Sequence, residues 1–237
     1  MNYAGILAGG KGARMGVTER PKQYLKVGTK ETPIIVLTVR AFLSCDAIGQ
    51  IVIAAPAAWS EYTEVLIGEN FDEQEISRIH VIVGGAERSE SLKNICSFIE
   101  DTWGLDDDDI LVSHDAVRPF LTQRIIEENI KFAREVGCVD TVVPATDTIV
   151  KSEAGEIIDD IPPRSHYFQG QTPQSFFITE YLEAYGSLTE EQRLALTDAC
   201  KVYVFHGKPV QLVMWEYSNI KITTPHDIFV ANSILGC

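Results

Sequence analysis

The sequence feature that most constrains the fold is a glycine-rich run near the start of the chain, Leu7-Ala8-Gly9-Gly10-Lys11-Gly12-Ala13-Arg14-Met15-Gly16. The apolar residues just before it predict a short buried strand. Small residues and glycines directly after a strand form a loop whose backbone N–H groups can approach an anion, because few Cβ atoms stand in the way. Lys11 and Arg14 add positive charge inside this loop, so the run predicts a phosphate-binding site.

The type of phosphate loop can be narrowed by comparing its spacing with known patterns. A Walker A loop requires G-x-x-x-x-G-K-[ST], and no lysine of the run is followed by Ser or Thr. The dinucleotide fingerprint G-x-G-x-x-G fits Gly10 and Gly12, but Met15 stands where the third glycine would allow close helix–strand packing. The remaining pattern, G-x-G-x-R-M-G followed by Pro-Lys-Gln, resembles nucleotidyltransferases that join a nucleoside triphosphate to a sugar or polyol phosphate.

The charge of the chain is unevenly distributed. The 237 residues carry a formal net charge of -14, which disfavours nucleic acids and anionic membranes as partners. Residues 11–30 hold six basic residues against one acidic residue, a local charge of +5. A cationic region in an acidic protein indicates where a polyanionic small molecule binds. With 45% hydrophobic residues, residues 1–237 can form one domain with a sizeable core.

The cysteines and the apolar runs bear on the cellular compartment. The five cysteines are widely spaced and include no C-x-x-C pair, so neither a zinc site nor a disulfide framework is predicted. That usage fits a reducing cytosol. The chain enters its first predicted strand at once and has no apolar run of membrane-spanning length, so we expect a cytoplasmic protein.

Strand and helix patterns alternate along the chain. Predicted strands cover residues 51–55, 79–83, 110–113, 139–144, 202–205 and 210–213, and predicted helices cover 34–43, 62–67, 88–102, 122–136 and a last helix from Thr224. This alternation predicts a doubly wound, Rossmann-like α/β fold with a mostly parallel sheet. Residues 147–177 contain short β segments with prolines at their edges, which predict a projecting β-arm outside the central sheet. Residues 219–222 also have a strand pattern.

Three motifs follow predicted strands and should therefore meet at one rim of the sheet, where such folds bind ligands. They are residues 9–14, 84–91 and 114–118. Asp115 at that rim is the candidate ligand for Mg²⁺, which binds through one or two carboxylates plus substrate phosphates. For Arg118 three roles stay open: it orients Asp115, contacts phosphate, or forms a purely structural ion pair. Asp227 is expected to cap a helix with Thr224.

Lys22 and Lys221 are the cationic candidates for the reacting centre. Attack on an α-phosphorus builds up negative charge, so catalysis requires positioning and fixed positive charge and no nucleophilic side chain. On pattern alone, Lys221 faces either a pocket or solvent.

Six segments in register carry a resemblance that spans nearly the whole chain: residues 7–16, 21–23, 84–88, 114–119, 171–174 and 219–223. Together they resemble the cytidylyltransferases of the group that includes 2-C-methyl-D-erythritol 4-phosphate cytidylyltransferase and D-ribitol-5-phosphate cytidylyltransferase. The resemblance implies a fold of the nucleotidyltransferase type, CTP and a polyol phosphate as substrates, Mg²⁺ as cofactor, and a homodimer formed by the β-arm.

The resemblance also implies roles for individual residues. Arg14, Lys22 and Lys221 would be catalytic. The nucleotide would be bound by Leu7, Ala8, Gly9, Gly10, Gly12, Gly85, Arg88 and Ser91, with Gly85 and Ser91 at the cytosine. The acceptor would be bound by Asp115, Arg118, Thr148, Arg164 and Thr197, with Arg164 supplied across the dimer and Asp115 also serving the metal.

The identity of the acceptor depends on a few segments. Residues 160–171, 197–201 and 216–219 are closer to the ribitol phosphate enzymes, which make CDP-ribitol for teichoic acid or capsule. Small polyols differ little, so the methylerythritol phosphate enzyme of isoprenoid synthesis stays open as the alternative. A nucleotide-binding regulator without turnover is a more distant alternative, as is a dinucleotide-dependent oxidoreductase, against which Met15 counts.

Overall fold

The computed structural model describes residues 1–10, 15 and 20–236. In this part of the chain the strands are β1 Asn2–Leu7, β2 Lys26–Val27, β3 Thr32–Pro33, β4 Gln50–Ala55, β5 Ile79–Val83, β6 Ile110–Asp115, β7 Cys138–Pro144, β8 Phe168–Phe177 and β9 Gln211–Met214. The α-helices are α1 Ile34–Leu43, α2 Ser60–Asn70, α3 Glu73–Ile76, α4 Arg88–Trp103, α5 Gln123–Val136, α6 Ile178–Gly186, α7 Glu190–Leu194, α8 Cys200–Phe205 and α9 Pro225–Ile234.

Seven of the described strands form one sheet in the order β5-β4-β1-β6-β8-β7-β9, and β2 and β3 form a small separate hairpin. Within the large sheet, β8 pairs antiparallel with both β6 and β7. The other pairings are parallel, so β1, β4, β5, β6, β7 and β9 point the same way. The predicted Rossmann-like, mostly parallel α/β fold is confirmed.

Helices cover both faces of the sheet. One apolar cluster packs α1, α2 and α5 against the first face, and a second packs α4, α6 and α8 against the other. Strands buried on both faces account for the continuous apolar runs of β4 and β6, which show no alternation of polar and apolar residues. Because neighbouring parallel strands end at the same edge, the loops after β1, β4, β5 and β6 gather at one rim.

Three sequence predictions are corrected by the structure. Residues 202–205, predicted as a strand, lie in helix α8. A four-residue apolar run fits either element, and Val202 and Tyr203 are buried while Val204 is 62% exposed, as on one side of a helix. Residues 219–222 have no strand partner among the described residues and form an irregular segment instead.

The third correction concerns the extent of the arm. Phe168–Phe177 is a strand of the central sheet, between β6 and β7, and so does not project from it. Its antiparallel pairing occupies both of its edges, although the segment carries a proline at position 173. We keep the name β-arm for residues 145–167, where an isolated antiparallel bridge joins Lys151 to Asp160.

The last helix begins as predicted. Thr224 and Asp227 form a capping box at its first turn, and the Asp227 side chain accepts hydrogen bonds from the backbone of Thr223 and Thr224. Asp227 therefore has a capping role. None of the helices in the described ranges combines the length and apolar character needed to cross a membrane.

Candidate active site

A cavity of about 360 Å³ lies at the carboxyl rim of the sheet. Three stretches that follow strands line it, namely residues 7–10, residues 85–88 with Ser91, and residues 115–117. Two further segments with lysines complete the lining, namely Lys22 with Gln23, and Lys221. The expectation that the motifs after β1, β5 and β6 meet at one rim is confirmed for the described residues. Arg14 and Gly12 lie outside the described residues, as does Lys11.

Strand register brings the first and third stretches together. Leu7 at the end of β1 lies opposite Asp115 at the end of β6, and the N–H of Ala116 donates to the Leu7 carbonyl at 3.1 Å. The glycines after Leu7 therefore run directly beside Asp115. Both Gly9 and Gly10 are exposed, so their backbone is open to a ligand.

The second stretch is fixed by the start of α4. Ser91 Oγ accepts a hydrogen bond from the Gly85 N–H at 3.0 Å and donates to the Glu87 carbonyl at 3.1 Å. A Cβ on Gly85 would lie 2.3 Å from the Cβ of Glu90, so only glycine fits there. This packing folds the loop onto the helix and sets Arg88, the first residue of α4, at the cavity wall.

Asp115 is the electrostatic centre of the site. Its Oδ2 lies 2.8 Å from Lys221 Nζ and 3.4 Å from Arg118 Nε, and its Oδ1 lies 3.4 Å from Arg88 Nη2. Burial opposes ionisation of this carboxyl, but the charges of Arg88, Lys221 and Arg118 outweigh it and hold its pKa below the ordinary value. Asp115 is therefore a carboxylate throughout the physiological pH range.

Lys22 is nearly buried, with 7% exposure, yet lines the cavity. It opens a short 3-10 helix, Lys22–Tyr24, that is anchored by its last residue. The Tyr24 ring stacks on Trp59 at 5.2 Å between centroids, and its hydroxyl lies 2.8 Å from Thr63 Oγ1. The ring stacking and hydrogen bond of Tyr24 thus fix the short helix that places Lys22 at the cavity.

The segment that carries Lys221 is tied to its surroundings on two sides. Arg118 Nη1 donates to the Asn219 carbonyl at 2.8 Å, and the Ile222 N–H donates to the Val117 carbonyl at 2.9 Å. Arg118 is buried and is not among the residues that line the cavity. In this structure it therefore supports Asp115 and the Lys221 segment.

The predicted acceptor residues in the β-arm and near α8 do not line this cavity. Thr148 is exposed in the β-arm, and Arg164, also exposed there, donates to the Thr146 carbonyl of its own chain. Thr197 lines a second, smaller hollow that is shared with Arg88 and Tyr181.

Sequence reasoning assigned no role to Ala86 and Glu87, which line the cavity. It also did not single out Asp140 on β7, which lies outside that lining. Ala86 and Glu87 lie within the motif at residues 84–91, but nothing in the sequence of that motif marks these two residues as part of a cavity wall. Asp140 is marked only by the strand register, which a sequence pattern alone cannot supply.

The residues present fit a magnesium ion, which takes oxygen ligands from one or two carboxylates and from substrate phosphates. Asp115 supplies one ionised carboxylate at the cavity beside the glycine backbone. A second acidic group, Asp106, Asp108 and Asp109, lies at the opposite end of β6. There Asp109 accepts a hydrogen bond from the backbone of Asp106 and contacts the amino group of Met1, so it organises that turn.

A comparison with models of known protein families identifies the class of enzyme. The model of the family described as IspD, 2-C-methyl-D-erythritol 4-phosphate cytidylyltransferase, matches residues 3–237. The chain belongs to the IspD family. It is therefore a CTP-dependent cytidylyltransferase, that is, a nucleotidyltransferase.

Solved structures of this family share the fold. The 4-diphosphocytidyl-2C-methyl-D-erythritol synthase of Anaerococcus prevotii is 26% identical with a TM-score of 0.78, covering 100% of this chain and 96% of that one. The 2-C-methyl-D-erythritol 4-phosphate cytidylyltransferase of Thermus thermophilus is 24% identical, with a TM-score of 0.73 and 100% coverage of both chains. The Francisella tularensis enzyme of the same name is 24% identical with a TM-score of 0.78, covering 98% of this chain and 99% of that one.

Proposed function

We propose that this IspD-family enzyme transfers the cytidylyl group of CTP to D-ribitol 5-phosphate, giving CDP-ribitol and pyrophosphate. The cluster of Lys221, Arg118 and Arg88 on Asp115, beside the glycine backbone after β1, is the observation that carries the transfer chemistry. The choice of ribitol over methylerythritol is supported by the sequence of residues 160–171, 197–201 and 216–219.

The reaction is an in-line displacement at the α-phosphorus. An oxygen of the acceptor phosphate forms a bond to that phosphorus while the bond to the bridging oxygen of the β-phosphate breaks, and the electron pair leaves with pyrophosphate. Lys22 and Lys221 supply fixed positive charge toward the phosphates, and the backbone at Gly9 and Gly10 leaves room for them. Arg14 is proposed to contact the triphosphate as well, on sequence resemblance.

The nucleotide end of the cavity is proposed to bind cytosine through Gly85 and Ser91. The tight packing of Gly85 on Glu90 keeps this wall close to the helix, and Arg88 stands at its edge. Leu7 and Ala8 line the cavity next to it. When bound, Mg²⁺ would neutralise charge on the triphosphate, and Asp115 is the residue that would hold it.

A dimer through the β-arm is part of the proposal. Ile157, Ile158 and Ile161 on the arm are 75%, 56% and 57% exposed, an apolar surface of the kind that pairs with another protein surface. Arg164 lies exposed on the same arm, and in the proposed dimer its charge serves the site of the second copy. Thr148, Thr197 and Arg164 are thereby assigned to the acceptor phosphate and polyol.

The methylerythritol acceptor is the second candidate, because the matching family model and the solved structures bear that name. Pyrophosphate release is measured with CTP and Mg²⁺ and either ribitol 5-phosphate or 2-C-methyl-D-erythritol 4-phosphate. We expect the higher kcat/KM with ribitol 5-phosphate. A preference for the methylerythritol substrate would replace the ribitol assignment, and no pyrophosphate with either would contradict turnover on both.

Lys22→Ala tests the transfer chemistry itself. We expect turnover to fall by about two orders of magnitude or more, because a fixed charge at the α-phosphate is lost. Lys26→Ala, an exposed lysine on the hairpin strand β2, is the matched control and should retain activity. Near-normal turnover of a folded Lys22→Ala variant would refute the role.

A further inference from the structure

Asp140 is a partly buried carboxylate for which the transfer chemistry described above has no use. It is the third residue of β7, at a point where the pairing of β7 with β8 shifts register between Asp140 and Val142. Such bulges re-aim side chains and are common beside binding sites. Its neighbours on β7, Val139 and Thr141, are fully buried, whereas Asp140 is in part exposed.

The side chain of Asp140 lies on the same face of the sheet as the start of α4. Alternation along β7 places it on the side of Cys138, which belongs to the apolar cluster under α4, α6 and α8. By the same alternation Gln174 shares the side of Phe176 in β8. Asp140 therefore belongs to the side of the sheet that also carries Arg88.

One carboxylate oxygen of Asp140 is fixed and the other is open. Gln174 Nε2 donates to Oδ1 at 2.9 Å, and Gln174 Oε1 in turn accepts the Ala199 N–H at 3.2 Å. In the described ranges no group donates a hydrogen bond to Oδ2. Gly170 lies beside that oxygen, with its would-be Cβ at 3.5 Å, and places no side chain over it.

Charged groups surround Asp140 on several elements. Burial raises its pKa to about 6, the Gln174 hydrogen bond opposes that rise, and the carboxylate of Asp198 adds to it. Arg88 and Arg118 act in the opposite direction on the pKa. Asp140 is thus within electrostatic reach of the same arginines that hold Asp115.

Further polar atoms on this face lack partners. Ser113 Oγ, Arg88 Nη1 and the Tyr181 hydroxyl are buried and make no hydrogen bond with the described residues. Arg88 and Tyr181 line the second hollow together with Thr197 and Asp198. A buried polar atom without a partner is costly, and a hydroxyl group of a bound ligand is one partner that would satisfy the atoms on this face.

We propose that Asp140, held by Gln174 and flanked by Asp198, accepts hydrogen bonds from hydroxyl groups of the acceptor polyol and so determines which polyol phosphate is used. This inference rests on the proposed ribitol phosphate transfer. In this proposal the attacking oxygen of the acceptor phosphate lies near Lys22, Lys221 and Asp115, and the polyol extends past Arg88 toward Thr197 and Asp140. Carboxylate oxygens are strong acceptors for hydroxyl donors, and a site built for hydroxyls rejects substrates that lack them.

Asp140→Asn is the main test, because asparagine keeps the shape and the oxygen that Gln174 binds while exchanging the other oxygen for a donor. We expect kcat/KM for ribitol 5-phosphate to fall about tenfold or more, as for loss of a hydrogen bond to a charged group. KM for CTP should stay within about twofold of the wild-type value, since Asp140 is expected to contact the acceptor alone. The melting temperature should not fall, since the variant replaces an unfavourably buried charge with a neutral group.

A shorter acceptor tests whether Asp140 recognises hydroxyl groups of the substrate or only supports the protein structure. Glycerol 3-phosphate lacks the distant hydroxyls, so Asp140→Asn should leave its kcat/KM nearly unchanged while lowering that of ribitol 5-phosphate. Asp108→Asn, an exposed aspartate before β6, is the matched control and should alter neither. Equal proportional losses with both acceptors, or no loss with ribitol 5-phosphate, would overturn the role of Asp140 while leaving the proposed function intact. A wild-type enzyme inactive on ribitol 5-phosphate would overturn both.

Discussion

Among single residues, Asp115 concentrates the electrostatics of the site. The side chains of Arg88, Arg118 and Lys221 all contact this one carboxylate, at 2.8 to 3.4 Å. Removing one member of a buried ionic group leaves the others uncompensated, which is more damaging than the net strength of the pairs suggests.

Asp115→Asn should therefore lower both turnover and stability. We expect kcat to fall by about two orders of magnitude or more and the free energy of unfolding to fall by about 3 kcal/mol. Steady-state kinetics and urea unfolding measure the two effects. An Asp115→Asn enzyme with wild-type stability would show that the three cations do not depend on this carboxylate.

The raised pKa of Asp140 predicts that the folded protein becomes less stable as the pH rises. Its pKa in the folded protein is raised to about 6 from the ordinary 3.8, so the folded state binds more protons than the unfolded state between these values. Its contribution to stability is fully present below about pH 4 and is lost as the pH rises through 6.

Asparagine does not ionise, so the Asp140→Asn variant should not lose stability through this group as the pH rises. We expect the variant to equal wild type near pH 4 and to exceed it by about 3 kcal/mol at pH 8, as measured by urea unfolding across that range. Because Asp198, Arg88 and Arg118 face the same group, only the difference between variant and wild type isolates Asp140. A pH-independent difference would contradict the raised pKa.

At the scale of elements, the segment that carries Lys221 is positioned by hydrogen bonds and not by a strand. Asn219 Nδ2 donates to the Thr172 carbonyl at 2.9 Å and to Gln171 Oε1 at 3.0 Å. Asn219 is fully buried, so loss of its amide leaves the Thr172 carbonyl without this donor.

Asn219→Ala should loosen that segment. We expect kcat to fall about tenfold through displacement of Lys221, and the free energy of unfolding to fall by about 1–3 kcal/mol. Ser218→Ala, whose exposed side chain contacts Glu216, is the neighbouring control and should behave as wild type. If Asn219→Ala retained full kcat, Lys221 would not depend on this anchor.

The elements also show what the sequence can and cannot predict. The unbroken apolar runs at residues 51–55 in β4 and 110–112 in β6, and the capping box of Thr224 and Asp227, are local signals, and the structure confirms them. Short segments are ambiguous: residues 202–205 form a helix because they pack one side against the sheet, which depends on tertiary contacts. The place of β8 between β6 and β7 depends on pairing partners distant in the chain, for which no local pattern exists.

The same distinction applies to the site. The glycine run and Asp115 each follow an apolar strand pattern, whereas the pattern around Lys221 left its direction open. The fold joins the described members of this group at one cavity. The hydrogen bond from Arg118 to Asn219 joins residues that lie far apart in the chain and could not be found from spacing. Asp140 escapes sequence reasoning for a similar reason, since only the fold places it on the side of Arg88.

On the scale of the whole molecule, the β-arm is the surface that predicts assembly. Replacing Ile157, Ile158 and Ile161 together by serine removes the exposed apolar surface of the arm. We expect sedimentation to shift from dimer to monomer and KM for the acceptor to rise, because Arg164 would no longer be supplied by a second copy, while KM for CTP changes little. A wild-type protein that sediments as a monomer would refute the arm-mediated dimer.

Arg88 stands between the two hollows, lining the large cavity on one side and the small one on the other. In the proposed function, the guanidinium of Arg88 lies between the part of the cavity assigned to the nucleotide and the hollow assigned to the acceptor polyol. Under that assignment, substitutions in the small hollow should change KM for the polyol phosphate while KM for CTP stays near the wild-type value. Such a division would let the product change during evolution while the activation of CTP is kept.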